Sequence, residues 1–132
     1  MFLNHIYVRI RRDEIVVKHI ESGRQAHQQA TSPYASEKLL VGDFSKAQQC
    51  LRAAVKQVFN PWMHIVKPKY LMHPIEMVTG ELSQVEYRVF IELALSAGGR
   101  AANVWIGNEL SDNGVKEKLK AVATPYQSRK TE

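Results

Sequence analysis

At 132 residues, 45% hydrophobic and 23% charged, the chain is long enough for one domain with its own core and needs neither metal nor disulfide to stand. Its one cysteine, Cys50, excludes an intrachain disulfide and fits a reducing compartment. A formal charge of +5 favours acidic partners, but the basic residues are dispersed, which is the pattern of a solvated surface. No apolar run approaches the roughly 20 residues that span a bilayer. Met1 to His5 is too short and polar for a secretory signal, so a cytoplasmic protein is expected.

Ile6, Val8 and Ile10 alternate with Tyr7 and Arg9, which is strand periodicity. Arg11 to Glu14 is turn-like, and Ile15 to Ile20 is β-branched, so a hairpin is expected. Arg24 to Lys38 holds a short third strand or an irregular crossing. Leu39-Leu40-Val41 reaches the core, and Gly42-Asp43 turns the chain.

Ser45 to Phe59 reads as a helix with Ala47, Leu51, Ala54, Val55 and Val58 on one face. Ser45 is its expected cap, with Gln48 as reciprocal partner, and Asn60-Pro61 its stop. Tyr70 to Val78 reads as a strand in which Pro74 marks an edge, a bulge or a break. Ser83 and Glu86 form a capping box for the next helix. Its apolar face is Val85, Val89, Leu93 and Ala97, with Phe90, Ile91 and Ala94 beside it. Gly98 closes it in the left-handed conformation. Asn103 to Ile106 is the next strand, and Val115, Leu119 and Val122 mark a short last helix that Pro125 ends. This order predicts an α/β fold, a mixed sheet flanked by helices, with the layout of the ribonuclease-H-like group. One domain over 1–123 and a flexible tail over 124–132 are expected.

Several segments, taken in order, resemble MreB, the bacterial rod-shape-determining actin homologue. They are Asp43 to Val58, Lys67-Pro68-Lys69, Leu82 to Glu86, Ala94 to Arg100 and Val104 to Ile106. The likeness is to the large subdomain of that family's N-terminal half, and it implies an actin-like ATPase subdomain. The family's phosphate turn carries a glycine and a metal-positioning aspartate. Here the matching turn is Ile10 to Glu14, which has no glycine and carries Asp13 and Glu14. The second phosphate loop and the adenine pocket belong to the family's other half, which is not matched. The family's catalytic glutamate falls at Glu109 or Gly107, depending on a short gap. The resemblance therefore implies a module without ATPase chemistry, neither an enzyme nor a cofactor binder.

Other chemistry has weaker support. His5, His19, His27, His64 and His73 show no metal-ligand spacing, so no metal site is expected. Cys50 reads as a buried helical thiol. The first strand lacks the acidic residue that a ribonuclease-H-type metal site requires. Trp62, Trp105, Tyr7 and Tyr70 are candidates for stacking on bases, with core or edge packing the favoured reading.

The resulting expectation is a cytoplasmic, bacterial, non-enzymatic protein-interaction module in cell shape or cytoskeletal assembly. Its partner would be MreB or a second copy of the chain, so a homo-oligomer is open. The candidate protein contacts are Arg52 and Lys56 on the first helix and Tyr87 and Arg88 on the second. The alternative is a basic nucleic-acid-binding domain of ribonuclease-H-like fold, with Arg9, Arg11 and Arg12 as candidate anion contacts.

Overall fold

The structure, a computed structural model, describes residues 3–76 and 82–122. The alternating N-terminal residues form β1 (His5–Arg11) and β2 (Glu14–His19), followed by β3 (Gln25–Gln29). Helix α1 (Phe44–Lys56) and a 3-10 turn at Pro61–Met63 lead into β4 (Lys69–Pro74). Then come α2 (Gln84–Ser96), β5 (Ala101–Val104) and α3 (Asp112–Leu119). The fold is mixed α/β: one five-stranded sheet of order β3-β2-β1-β4-β5, flanked by helices. The first three strands pair antiparallel, while β4 pairs parallel with both β1 and β5. No helix among the described residues is long and apolar enough to cross a membrane.

Strand periodicity sorts the side chains onto two faces. Ile6, Val8 and Ile10 lie on one face beside Tyr70 and Met72, against α1 and α2. Their buried partners from the helices include Leu51, Val55, Phe90, Ile91 and Leu93. Tyr7, Leu71 and Ala101 point to the other face, where α3 places Val115 and Leu119 and the chain beyond it places Val122. The expected short last helix is therefore present and docked by the residues that signalled it.

The uncertain third strand exists because β3 pairs with β2 from Glu14↔Gln29 to Lys18↔Gln25. Of the apolar triplet before Gly42, Leu40 is buried, Val41 packs against the core, and Leu39 faces out. Ser83 and Glu86 form the expected capping box, and Gly98 closes the last turn of α2 at φ 98.

Several local details differ from the expected ones. Asp43, not Ser45, caps α1: its backbone is extended, and its carboxylate accepts from the Lys46 N–H at 3.0 Å. The helix starts at Phe44, which places Ser45 inside its first turn. Regular helix ends at Lys56, and the amides of Val58 and Phe59 fold back onto the Val55 carbonyl. Of the three readings of Pro74, the break holds: β4 ends there, two residues past the last one that pairs with β5. It sits opposite Ile10, and the next amide, Ile75 N–H, bonds to the Ile10 carbonyl at 2.9 Å. Val85 is 72% exposed although Leu93 is buried. Each four-residue step drifts by about 40° around a helix, so two steps turn Val85 away from the core. The last strand begins at Ala101, two residues before its expected start, and Ile106 lies beyond it. The expected strand end at Val78, the helix stop at Pro125 and the tail over 124–132 lie outside the described residues.

Candidate interaction surface

Helix α1 buries Ala47, Leu51, Ala54 and Val55, so helical geometry turns Gln49, Arg52 and Lys56 outward along one side. The Arg52 guanidinium donates from Nε and Nη2 to the Ser96 carbonyl, at 2.9 and 2.7 Å. Ser96 is the last residue of α2, where helical carbonyls lack amide partners and attract positive charge. That contact uses part of the five-donor fork and pins the cation in place. Lys56 follows one turn later. Neither cation is ion-paired among the described residues.

Beyond α1, the Asn60 side chain accepts from the Trp62 N–H at 3.1 Å, and Pro61 opens the 3-10 turn. Pro61 is buried under the end of α2: a Cβ on Gly98 would lie 2.5 Å from its Cγ. That contact, together with the positive φ, explains why only glycine fits there. Trp62 points outward at 64% exposure, so the expectation of core or edge packing fails for it. Lys67 braces the turn by donating to the Pro61 and His64 carbonyls, at 2.9 and 2.8 Å. Its ammonium lies 5.5 Å from the Trp62 ring centroid. Arg52, Ala53, Lys56, Pro61, Trp62 and Ala97 thereby line an open groove of about 420 Å³.

The four expected protein contacts therefore separate. Arg52 and Lys56 line the groove. Tyr87 and Arg88 lie at the opposite end of α2, where Tyr87 is half-buried with its hydroxyl 3.4 Å from Asn103 Oδ1. The groove itself needs the turn at Pro61–Met63, and the asparagine-proline pair ahead of Trp62 was the one sequence signal for it.

The candidate anion contacts lie elsewhere. Arg9 shares the α3 side of the sheet with Tyr7. Its guanidinium donates to Glu109 at 2.9 Å and to Gln25 at 3.3 Å, while its Nε is buried without a hydrogen-bond partner. Arg11 is exposed at the end of β1. Arg12 donates to the Ser36 carbonyl at 3.1 Å. Nearby, Lys18 pairs with Asp112 at 2.9 Å, and His27 pairs with Glu14. Tyr7 and Tyr70 are buried, and Trp105 lies under Lys118, whose ammonium is 4.3 Å from its ring centroid.

The hairpin turn is filled by protein groups. The Arg12 N–H donates to Glu76 Oε1 at 2.7 Å, and the Glu14 N–H donates to the Tyr34 hydroxyl at 2.8 Å. Asp13, left-handed at φ 58, accepts from the amides of Tyr34 and Ala35, at 2.8 and 2.9 Å. Cys50 is buried, which pushes its thiol up to about 11. Among the described residues, no group of three or more His, Cys, Asp or Glu is placed to hold a metal ion.

A directional hydrogen-bond chain ties the loop after β5 to the sheet. The Leu110 N–H donates to the Tyr7 hydroxyl at 3.2 Å, and that hydroxyl lies 2.7 Å from His73 Nδ1. His73 Nε2 lies 2.8 Å from the Gly107 carbonyl, which can only accept. Nε2 therefore carries a proton and donates it to that carbonyl. Burial lowers the pKa of His73, and burial likewise lowers that of His19. A histidine depressed in the folded state binds its proton more readily when unfolded, so stability rises with pH through that range. The melting temperature is expected to fall as pH drops from about 7 to about 5, below the ordinary histidine value of about 6.5. A thermal-melt series in buffers of matched ionic strength checks this, and a flat or rising series would contradict it.

The molecule is thus a single-sheet α/β domain whose described surface offers a cationic, tryptophan-walled groove. No family model matches the chain. It is 31% identical over 97 residues to the "Uncharacterized protein YjaA" of Escherichia coli (strain K12), an alignment covering 70% of this chain and 75% of that protein. The chain belongs to the same family as that protein.

Proposed function

We propose that this chain is a non-enzymatic interaction module of the ribonuclease-H-like, actin-like kind, acting by docking onto another protein. The sheet supports this fold reading: three antiparallel strands, then two parallel ones with a helix before each, in the order β3-β2-β1-β4-β5. The observation that carries the functional reading is the hairpin turn. In a phosphate-binding turn, free backbone amides point at the anion. Here the Arg12 amide is taken by Glu76 and the Glu14 amide by the Tyr34 hydroxyl. On the resemblance to the actin-like ATPases, this turn is the counterpart of their phosphate turn, and the Glu76 carboxylate on it supports a reading without nucleotide.

The resemblance to MreB makes an actin-like filament or a second copy the natural partner, with a role in bacterial cell shape, at the cytoplasmic side. The groove beside Arg52, Lys56 and Trp62 is the surface best suited to such docking. The test is size-exclusion chromatography with light scattering, on the chain alone and mixed with MreB. Co-elution, or a dimer that dissociates across a dilution series, is the expected result. A monomer at every concentration that ignores MreB overturns the reading.

A further inference from the structure

We propose that the groove between α1 and the Pro61–Met63 turn binds an acidic peptide segment that seats one apolar side chain against Trp62. This rests on the reading of the chain as an interaction module and names the chemistry of its partner.

Three observations converge on that occupant. Much of the lining is apolar, with Ala53, Val55, Pro61, Ala97 and Trp62 contributing. A volume of about 420 Å³ lies in the range of concave ligand sites and suits one large side chain with its flanking backbone. An exposed tryptophan at the wall of a pocket is the kind of residue that anchors binding.

The near lip is cationic and held ready. Arg52 is fixed by its two contacts to the Ser96 carbonyl, and these leave guanidinium N–H groups free for a carboxylate. Lys56 lies one turn along the same helix, and its ammonium makes no hydrogen bond or ion pair among the described residues. On the opposite sheet face, Arg9 and Lys18 differ, because they are already matched by Glu109 and Asp112. Charge complementarity therefore selects a carboxylate beside an apolar anchor. That carboxylate comes from an aspartate or glutamate side chain or from a chain terminus.

The groove's walls are also held by contacts within the protein. The Gly98 contact with Pro61, the Asn60 cap on Trp62 and the Lys67 brace hold both walls without a ligand. A preformed site loses less entropy on binding than one that must be ordered.

The test is panning of a phage-displayed random peptide library against the full chain, followed by fluorescence anisotropy of the enriched peptides after synthesis and labelling. The expected pool combines Asp or Glu with one aromatic or leucine anchor. Its affinity is expected to weaken about tenfold or more in Lys56→Gln combined with Arg52→Gln, and separately in Trp62→Ala. Amidation of the peptide terminus tells a terminal carboxylate from a side-chain one. Lys56→Gln and Trp62→Ala leave the Arg52–Ser96 contact intact, so they keep the test valid should the double variant fold poorly by circular dichroism.

No enrichment over a blank surface, a pool without acidic residues, or affinity unchanged in the folded variants would overturn the proposal. So would sedimentation with phosphatidylglycerol vesicles that Trp62→Ala abolishes while no peptide is enriched, which assigns the surface to lipid. Co-elution with MreB or dimerisation that persists in the groove variants would leave the interaction module standing on another surface. Loss of both results would remove both readings.

Discussion

Tyr70→Ala is expected to destabilise the fold by about 3–5 kcal/mol, the range for removing a fully buried aromatic side chain. Tyr70 is 0% exposed and lies in β4, in register with Ile6 on one side and Ala102 on the other. Its ring packs so closely on the chain after α2 that a Cβ on Gly99 would lie 2.8 Å from Tyr70 Cδ1. Its hydroxyl donates to the Ala97 carbonyl at 2.5 Å, where α2 runs out of amide partners. One residue thus fills the core and fastens a helix end to the sheet.

Tyr70→Phe separates the two roles. It keeps the ring and strips the donor from a buried carbonyl, an effect of about 1–3 kcal/mol. Urea denaturation of both variants measures the difference. A phenylalanine variant as stable as the parent would show that the hydroxyl contributes nothing. Domains are typically stable by only about 5–15 kcal/mol, so the alanine variant is expected to sit near its unfolding midpoint well below the denaturant concentration the parent tolerates.

Tyr34→Ala is the second large effect, again about 3–5 kcal/mol. Tyr34 is 1% exposed and lies outside regular structure. Its ring belongs to the core between the sheet and α1, and its hydroxyl reaches back to the hairpin. There it donates to the Arg11 carbonyl at 2.5 Å and accepts from the Glu14 N–H at 2.8 Å. Its own amide is held by the Asp13 carboxylate at 2.8 Å, and its carbonyl accepts from both Gly42 and Asp43. The alanine variant loses the core contact and leaves two hairpin groups without their side-chain partner. Tyr34→Phe is expected to cost about 1–3 kcal/mol and to speed hydrogen exchange at the Glu14 amide. Unchanged exchange at Glu14 would contradict the hydroxyl's role in closing the turn.

Both tyrosines show where the sequence was readable. Tyr70 stood in a run of strand-forming apolar residues, so its burial followed from the pattern. Tyr34 stood in a polar stretch with no periodicity, and its burial arises only because the chain from β3 to α1 crosses back over the hairpin. The same division runs through the caps. Ser83 was legible because Glu86 completes a motif that four adjacent residues define. At α1, Asp43 and Ser45 are both good caps, and the choice fell to the backbone conformation set by the turn at Gly42-Asp43.

The candidate surface was legible in half. Helical spacing alone put Arg52 and Lys56 together on the outside of α1. Nothing local revealed that Arg52 would be pinned by Ser96, 44 residues on, or that Trp62 would form the facing wall. The charged sheet face was less legible still. Arg9 with Glu109 and Lys18 with Asp112 are pairs 100 and 94 residues apart, so the matching of these two cations could not be read locally.

By itself, then, the sequence determined the order of the strands and helices other than β3, the hairpin, the α2 cap and its glycine stop, and most of the apolar faces. Each of these depends on side chains within one or two turns, or one strand, of each other, and short-range sterics and hydrogen bonding suffice. The tertiary structure alone decided the sheet order, the pairing of β3, the burial of Tyr34, the filled hairpin turn and the groove. Each of those depends on groups that meet only after chain segments far apart in sequence have packed, when desolvation and shape decide which side chains are covered and which are left facing out.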